Sequence, residues 1–80
     1  MEKKYIITSG NLPIIFSEGQ KHSDFKMFDP ISAGFVKFNV FITDDLEPKI
    51  SAECYGESES LGLKSRPNED ETLINKLILS

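Results

Sequence analysis

The stretch Ile31-Ser32-Ala33-Gly34-Phe35-Val36-Lys37-Phe38-Asn39-Val40-Phe41-Ile42 is apolar on both sides of a two-residue repeat, and any fold of this chain has to be arranged around it. Successive side chains of a strand point to opposite faces. Val36, Phe38, Val40 and Ile42 therefore form one wholly apolar row, and Phe35, Lys37, Asn39 and Phe41 form a mixed row. The first row is expected to be core. Its burial contributes roughly 1.5 to 3 kcal/mol per side chain, while ordering the backbone costs roughly 1 to 2 kcal/mol per residue. A central strand of this kind needs neighbours on both edges and covers on both faces.

The flanking segments supply them. Tyr5-Ile6-Ile7-Thr8 is rich in β-branched and aromatic residues and ends in the turn cluster Ser9-Gly10-Asn11. Leu12-Pro13-Ile14-Ile15-Phe16 then resumes the pattern, which predicts a hairpin with Leu12, Ile14 and Phe16 on one core face. Pro13 gives no ladder donor, so this second strand is expected at an edge or paired only from Ile14. After the polar connection 43–48, Ile50, Ala52 and Cys54 alternate with polar residues, as in a half-buried strand. Gly56-Glu57 then fits a two-residue hairpin turn leading into 58–64, with Leu61 and Leu63 inward. Asn68 and Glu71 have capping-box spacing, and Leu73, Ile74, Leu77 and Ile78 share one helical stripe, so a helix is predicted to start at Asn68 and pack on the sheet. The fold class is α+β: a mainly antiparallel sheet of four or five strands with one C-terminal helix across one face.

Eighty residues make one domain, close to the size at which a single core stops being self-sufficient. One cysteine, Cys54, cannot close an intrachain disulfide, and with the single histidine, His22, it falls short of a structural zinc set. Packing or oligomerisation is left to supply stability, and no metal or cofactor is expected. The opening Met1-Glu2-Lys3-Lys4 is followed by too broken an apolar run for a signal peptide, and no apolar run reaches the roughly 20 residues of a membrane span. A lone cysteine in phase with Ile50 and Ala52 reads as a buried, inert thiol in a reducing compartment, so the expected location is the cytoplasm.

Net charge is −4, unevenly spread: residues 44–80 hold four Lys or Arg against nine Asp or Glu, a balance of −5. Such a field repels phosphate backbones, so direct nucleic-acid binding is not expected and a basic protein surface suits it better.

Residues 17–30 lose all periodicity. So long a loop is either functional or hides a short helical turn. Ser17, His22, Ser23 and Asp24 there have the residue types of a hydrolase triad, but a triad draws on separate elements, and the plainer reading has Ser23 or Asp24 capping a turn beside a solvated His22. No catalytic residue is assigned. Lys64, Ser65 and Arg66 lead into a helix N-terminus that could hold an anion, although Glu69, Asp70 and Glu71 oppose one. Phe35 and Phe41 lie on the mixed row, which a single helix on the other face cannot cover. Either Phe25, Met27 and Phe28 of the loop fold over them or a second copy of the chain does, and the short core favours a homodimer. The expected function is a non-enzymatic protein-interaction module that binds through the Glu18–Phe28 loop, with His22, Ser23 and Asp24, together with Phe35 and Phe41. A small-ligand or anion-binding domain using Lys64, Ser65 and Arg66 is the alternative, and a hydrolase centred on His22 comes third.

Overall fold

β-Branched and aromatic residues at 5–7 make the first strand the most deeply buried one. A computed structural model describes residues 2–79, with the side chain of Leu79 outside the description. In it β1 (Glu2–Thr8) lies between β2 (Pro13–Phe16) and β3 (Pro30–Ile42), and β4 (Pro48–Tyr55) completes an antiparallel sheet of order β2-β1-β3-β4. Tyr5, Ile6 and Ile7 are fully buried because both edges and both faces of β1 are occupied. A register shift at Ile7/Thr8 carries the pairing from Ser32 to Pro30, where β3 begins.

The helix α1 (Pro67–Leu79) packs on one face of the sheet. There Ile74 meets Tyr5, Ile7, Val36, Ala52 and Cys54, with Leu73, Ile78, Phe38 and Ile15 around them. The opposite face carries Ile6, Ala33 and Phe16, and it too is covered from within the chain. A 3₁₀ helix, His22–Phe28, lays Phe25 on it, and a two-stranded hairpin of β5 (Glu57–Ser58) and β6 (Leu63–Lys64) adds Leu61 and Leu63.

Several local expectations are corrected. The segment 17–30 contains the 3₁₀ helix, closed at its start by the Asp24 carboxylate accepting from the Lys21 amide (3.2 Å) and at its end by Asp29 in the left-handed region (φ 54°). Leu12 is exposed in the β1–β2 turn instead of sharing the core face of Ile14 and Phe16, because Asn11 (φ 63°) turns the chain before β2 begins at Pro13. Gly56 (φ 79°) does not make a two-residue hairpin turn; it takes the chain out of β4, and β5 and β6 pair with each other in a separate sheet across the turn 59–62. The helix starts at Pro67, not behind an Asn68 cap. Proline suits a first helical position, and the Asp70 carboxylate reaches back to the Arg66 amide (2.8 Å). Glu71, the other half of the expected box, is used elsewhere: it accepts from the Cys54 amide of β4 at 2.9 Å.

The largest correction concerns the apolar row of β3. Val36 is buried and Phe38 partly so, but Val40 and Ile42 are each 70% exposed. The cause is length. Thirteen strand residues span about 43 Å at 3.3 Å each, whereas thirteen helical residues span about 20 Å, and the longest molecular dimension is 42 Å. The distal halves of β3 and β4 therefore project as a two-stranded ribbon beyond the helix.

Candidate interaction surface

The ribbon is paired residue for residue from Phe38↔Ala52 through Val40↔Ile50 to Ile42↔Pro48. Its tip, 43–47, is closed by the Thr43 amide donating to the Glu47 carbonyl (3.0 Å) and the Leu46 amide donating to the Thr43 carbonyl (2.9 Å). Leu46 holds φ 62°, a left-handed conformation that costs a side-chain-bearing residue about 1 to 2 kcal/mol, and it is 83% exposed. Val40, Ile42 and Ile50 form an apolar row outside both cores on one face of the ribbon, Leu46 is exposed at its tip, and Phe41 stands on the opposite face. Phe38, Val40, Ile50 and Ile78 line a groove of about 360 Å³ where the ribbon leaves the end of α1. Asp44, Asp45 and Glu47 lie at the tip, and only Glu47 has an ion-pair partner among the described residues, Lys49 at 3.7 Å.

The second sheet face holds a continuous series of rings. Tyr55 stacks on Phe35 (5.8 Å), Phe35 meets the edge of His22 (5.8 Å), His22 meets Phe16 (5.4 Å), Phe16 stacks on Phe25 (4.1 Å), and Phe25 on Phe28 (6.3 Å). His22 and Phe35, two of the expected binding residues, are thus brought together, but as packing partners. His22 is buried, not solvated, and its Nε2 lies 2.9 Å from the Gly34 carbonyl oxygen. Ser23 and Asp24 are exposed on the 3₁₀ helix, and Met27 and Phe28 point to solvent while Phe25 provides the cover. Tyr55 donates to the Glu2 carboxylate, and that bond raises its phenol to about 12. Phe35 is half-buried by these contacts, so Phe41 alone of the mixed-row phenylalanines stays open.

Lys64, Ser65 and Arg66 do not point to a common site. Lys64 is exposed in β6, and the Ser65 amide donates to the Gly56 carbonyl (3.0 Å). The Arg66 guanidinium donates from Nε and Nη2 to Asp70 Oδ1 at 3.2 and 3.0 Å. Asp70 is fully buried and also accepts from Ser32 Oγ (2.9 Å) and from Tyr5 Oη (2.5 Å). Burial, then the bond to Asp70, pushes the Tyr5 phenol far above its ordinary value, and burial pushes the neighbouring Cys54 thiol up to about 12. This network is charge-paired and hydrogen-bonded throughout, which is the chemistry of an anchor and not of a nucleophile or base. A depression of about 480 Å³ beside it is lined by Asn11, Arg66, Asn68, Glu69, Thr72 and Leu73. No group of three or more His, Cys, Asp or Glu among the described residues is placed to hold a metal. No described helix is long and apolar enough to cross a membrane.

Compared with known proteins, the chain matches no family model, no curated protein and no solved structure.

Leu46, Val40, Ile42 and Ile50 are the surface residues that sequence reasoning missed. The signal available was arithmetic: a strand of twelve or more residues beside a helix half its length leaves part of its apolar row bare.

Proposed function

We propose that this chain is a non-enzymatic protein-interaction module that binds through the projecting β3–β4 ribbon. The carrying observation is the cluster of large apolar side chains left outside both cores: Val40 and Ile42 at 70%, Ile50 at 46% and Leu46 at 83% exposure. Contiguous apolar surface rimmed by charge is characteristic of interaction sites. The strained backbone under Leu46 adds support, since strain gathers where a side chain is displayed for a purpose. The reading moves the binding surface away from His22, Phe25 and Phe35, which are used in packing. Anion binding at Arg66 is less well supported because its guanidinium is held by a buried carboxylate, and hydrolysis at His22 because the ring is enclosed by Phe16 and Phe35. A reducing compartment such as the cytoplasm suits the buried free thiol of Cys54.

Affinity capture from a lysate with the full chain tests this. A stoichiometric protein partner is expected with the wild type and not with Val40→Asp/Ile42→Asp, whose circular dichroism should be unchanged because both positions are already exposed. Equal capture by both proteins would reject the ribbon as the binding surface. Self-association through Phe41 is the second reading, favoured by its half-exposed ring on the ribbon's other face. It predicts a dimer at micromolar concentration that Phe41→Glu dissociates, and a wild-type mass of one chain in sedimentation would exclude it.

A further inference from the structure

Taking the ribbon as the binding surface, we infer that its occupant is an extended segment of a partner protein, which adds as a strand to the free edge of β3 at residues 38–42.

The direction in which each ribbon residue hydrogen-bonds follows from β4. The Ala52 and Cys54 amides leave the sheet, to Asn75 Oδ1 (3.0 Å) and Glu71 Oε2 (2.9 Å), so the alternate residues Lys49, Ser51 and Glu53 are the ones that exchange hydrogen bonds with β3. Their partners Phe41, Asn39 and Lys37 therefore face β4, and the amides and carbonyls of Phe38, Val40 and Ile42 face the other way. That other edge is the one β1 occupies, but the described pairing with β1 ends at Glu2↔Lys37. For about 13 Å beyond it, the backbone groups of Phe38, Val40 and Ile42 meet no strand among the described residues.

The other edges of the four-stranded sheet are guarded. On β4, Pro48 has no amide proton, and the Ala52 and Cys54 amides are taken by helix side chains. On β2, Pro13 again removes a donor, and the Ser17 amide just past the strand donates to Gln20 Oε1 (3.3 Å). Folded proteins blunt a free edge with proline, charge, a bulge or a covering element. The segment Phe38-Asn39-Val40-Phe41-Ile42 has neither proline nor charge, and its pairing with β4 runs without a bulge. In a chain that protects its other edges, this bare one is fit for strand addition.

The same geometry separates a strand from the other occupants. A helix satisfies its own backbone groups and leaves those of Phe38, Val40 and Ile42 to water. A second copy offering the same edge, paired antiparallel about Val40, would place its Thr43 opposite Lys37, where Glu2 already sits, and drive its β3–β4 turn into β1. Registers that carry the turn clear of β1 pair fewer of these residues. An extended segment with a free end has no turn to place and continues the line of β1. Its side chains beside Val40 and Ile42 would gain apolar cross-strand neighbours, and those on the other side would lie beside Asn39 and Phe41. Alternating β-branched apolar and polar residues suit both.

The test is a nuclear magnetic resonance titration of the full chain with three synthetic peptides. One is a Val/Thr strand-former with a lysine at each end, the second is the same peptide N-methylated at its central residues so that neither of its edges can donate, and the third is a Leu/Lys amphipathic helix. The Val/Thr peptide is expected to bind, with the Val40 and Ile42 amides moving downfield and becoming protected from solvent exchange. N-methylation should weaken it about tenfold or more, as lost hydrogen bonds of ordinary worth require. Val40→Pro should weaken it as much with an unchanged circular dichroism spectrum, since it removes an outward donor and leaves the β3–β4 ladder intact. Equal binding of the N-methylated peptide, or preference for the Leu/Lys helix, with shifts at Val40, Ile42 and Ile50, would overturn strand addition while keeping the ribbon as a binding surface. Peptide-free self-association that protects the same amides would overturn it in favour of a second copy. Failure of the Val/Thr peptide to bind at millimolar concentration would overturn it too, whereas partner capture lost in Val40→Asp/Ile42→Asp would still uphold the ribbon. Binding with shifts away from the ribbon would overturn both readings.

Discussion

Asp70 is the residue on which the two ends of the fold meet. Its carboxylate accepts hydrogen bonds from Tyr5 of β1, Ser32 of β3 and the Arg66 backbone and side chain, so strand, strand and helix are fixed to one another at a single buried point. Removing the acceptor leaves the buried Tyr5 and Ser32 hydroxyls without a partner, at a cost of about 1 to 3 kcal/mol for each unsatisfied group, a large part of the stability of a domain this small. Asp70→Asn is therefore expected to lower the urea midpoint sharply, with Tyr5→Phe and Ser32→Ala each costing about 1 to 3 kcal/mol. The costs should be less than additive in combination, because they share one acceptor. Circular dichroism is the suitable readout for a chain without tryptophan. None of this was legible in the sequence. Asp70 read as one of three acids at a helix start, and only the tertiary fold brings residue 5 to residue 70. Gly34 is similar: a Cβ there would come 2.5 Å from the Tyr55 carbonyl oxygen, a contact no local pattern announces.

At the level of elements the sequence was read well where periodicity is strong and poorly where turn chemistry decides. Strands β3 and β4 follow from alternation, β1 from its β-branched and aromatic density and the helix from a 3.6-residue stripe, and together they give the α+β class with its antiparallel sheet. The 3₁₀ helix does not, since seven residues with apolar side chains at Phe25, Met27 and Phe28 fit neither period. The turn after Tyr55 failed for a different reason: Gly56 supplies a positive φ, but a positive φ serves an exit from a sheet as well as a hairpin. The β3–β4 turn gives a direct test. Leu46 holds a conformation glycine adopts freely, so Leu46→Gly should stabilise the fold by about 1 kcal/mol in thermal unfolding while weakening any binding that uses the ribbon tip. A destabilised variant would mean that the exposed leucine packs in a way its 83% exposure does not indicate.

The molecule as a whole has two thin cores back to back on one sheet, with a ribbon extending from them. Its stability should fall on the alkaline side for a stated reason. The native state raises the Cys54 thiol from near 9 to about 12 and the Tyr5 phenol well above its ordinary 10, so above pH 9 the unfolded chain gives up protons that the native state keeps. Fewer protons bound in the unfolded state means that stability declines with rising pH. The contribution is complete below pH 9 and is lost progressively between pH 9 and 12. Denaturant midpoints across that window should slope downward in the wild type and less steeply in Cys54→Ala. The ribbon was hidden at this scale because the apolar row of β3 looks the same whether or not a helix lies over it. Which side chains are core depends on how far the cover reaches.

The bond between Tyr5 and Asp70 also sets a schedule for synthesis. The two residues are 65 positions apart, and at 5 to 20 residues per second a ribosome needs about 3 to 13 s to pass from one to the other. During that interval the hydroxyls of Tyr5 and Ser32 lack their acceptor, the face carrying Ile7 and Val36 lacks Ile74, and the amides of Ala52 and Cys54 lack Asn75 and Glu71 respectively. The nascent chain thus presents an apolar sheet face and an open strand edge until its final helix emerges, and that is the period in which it most needs protection from its neighbours.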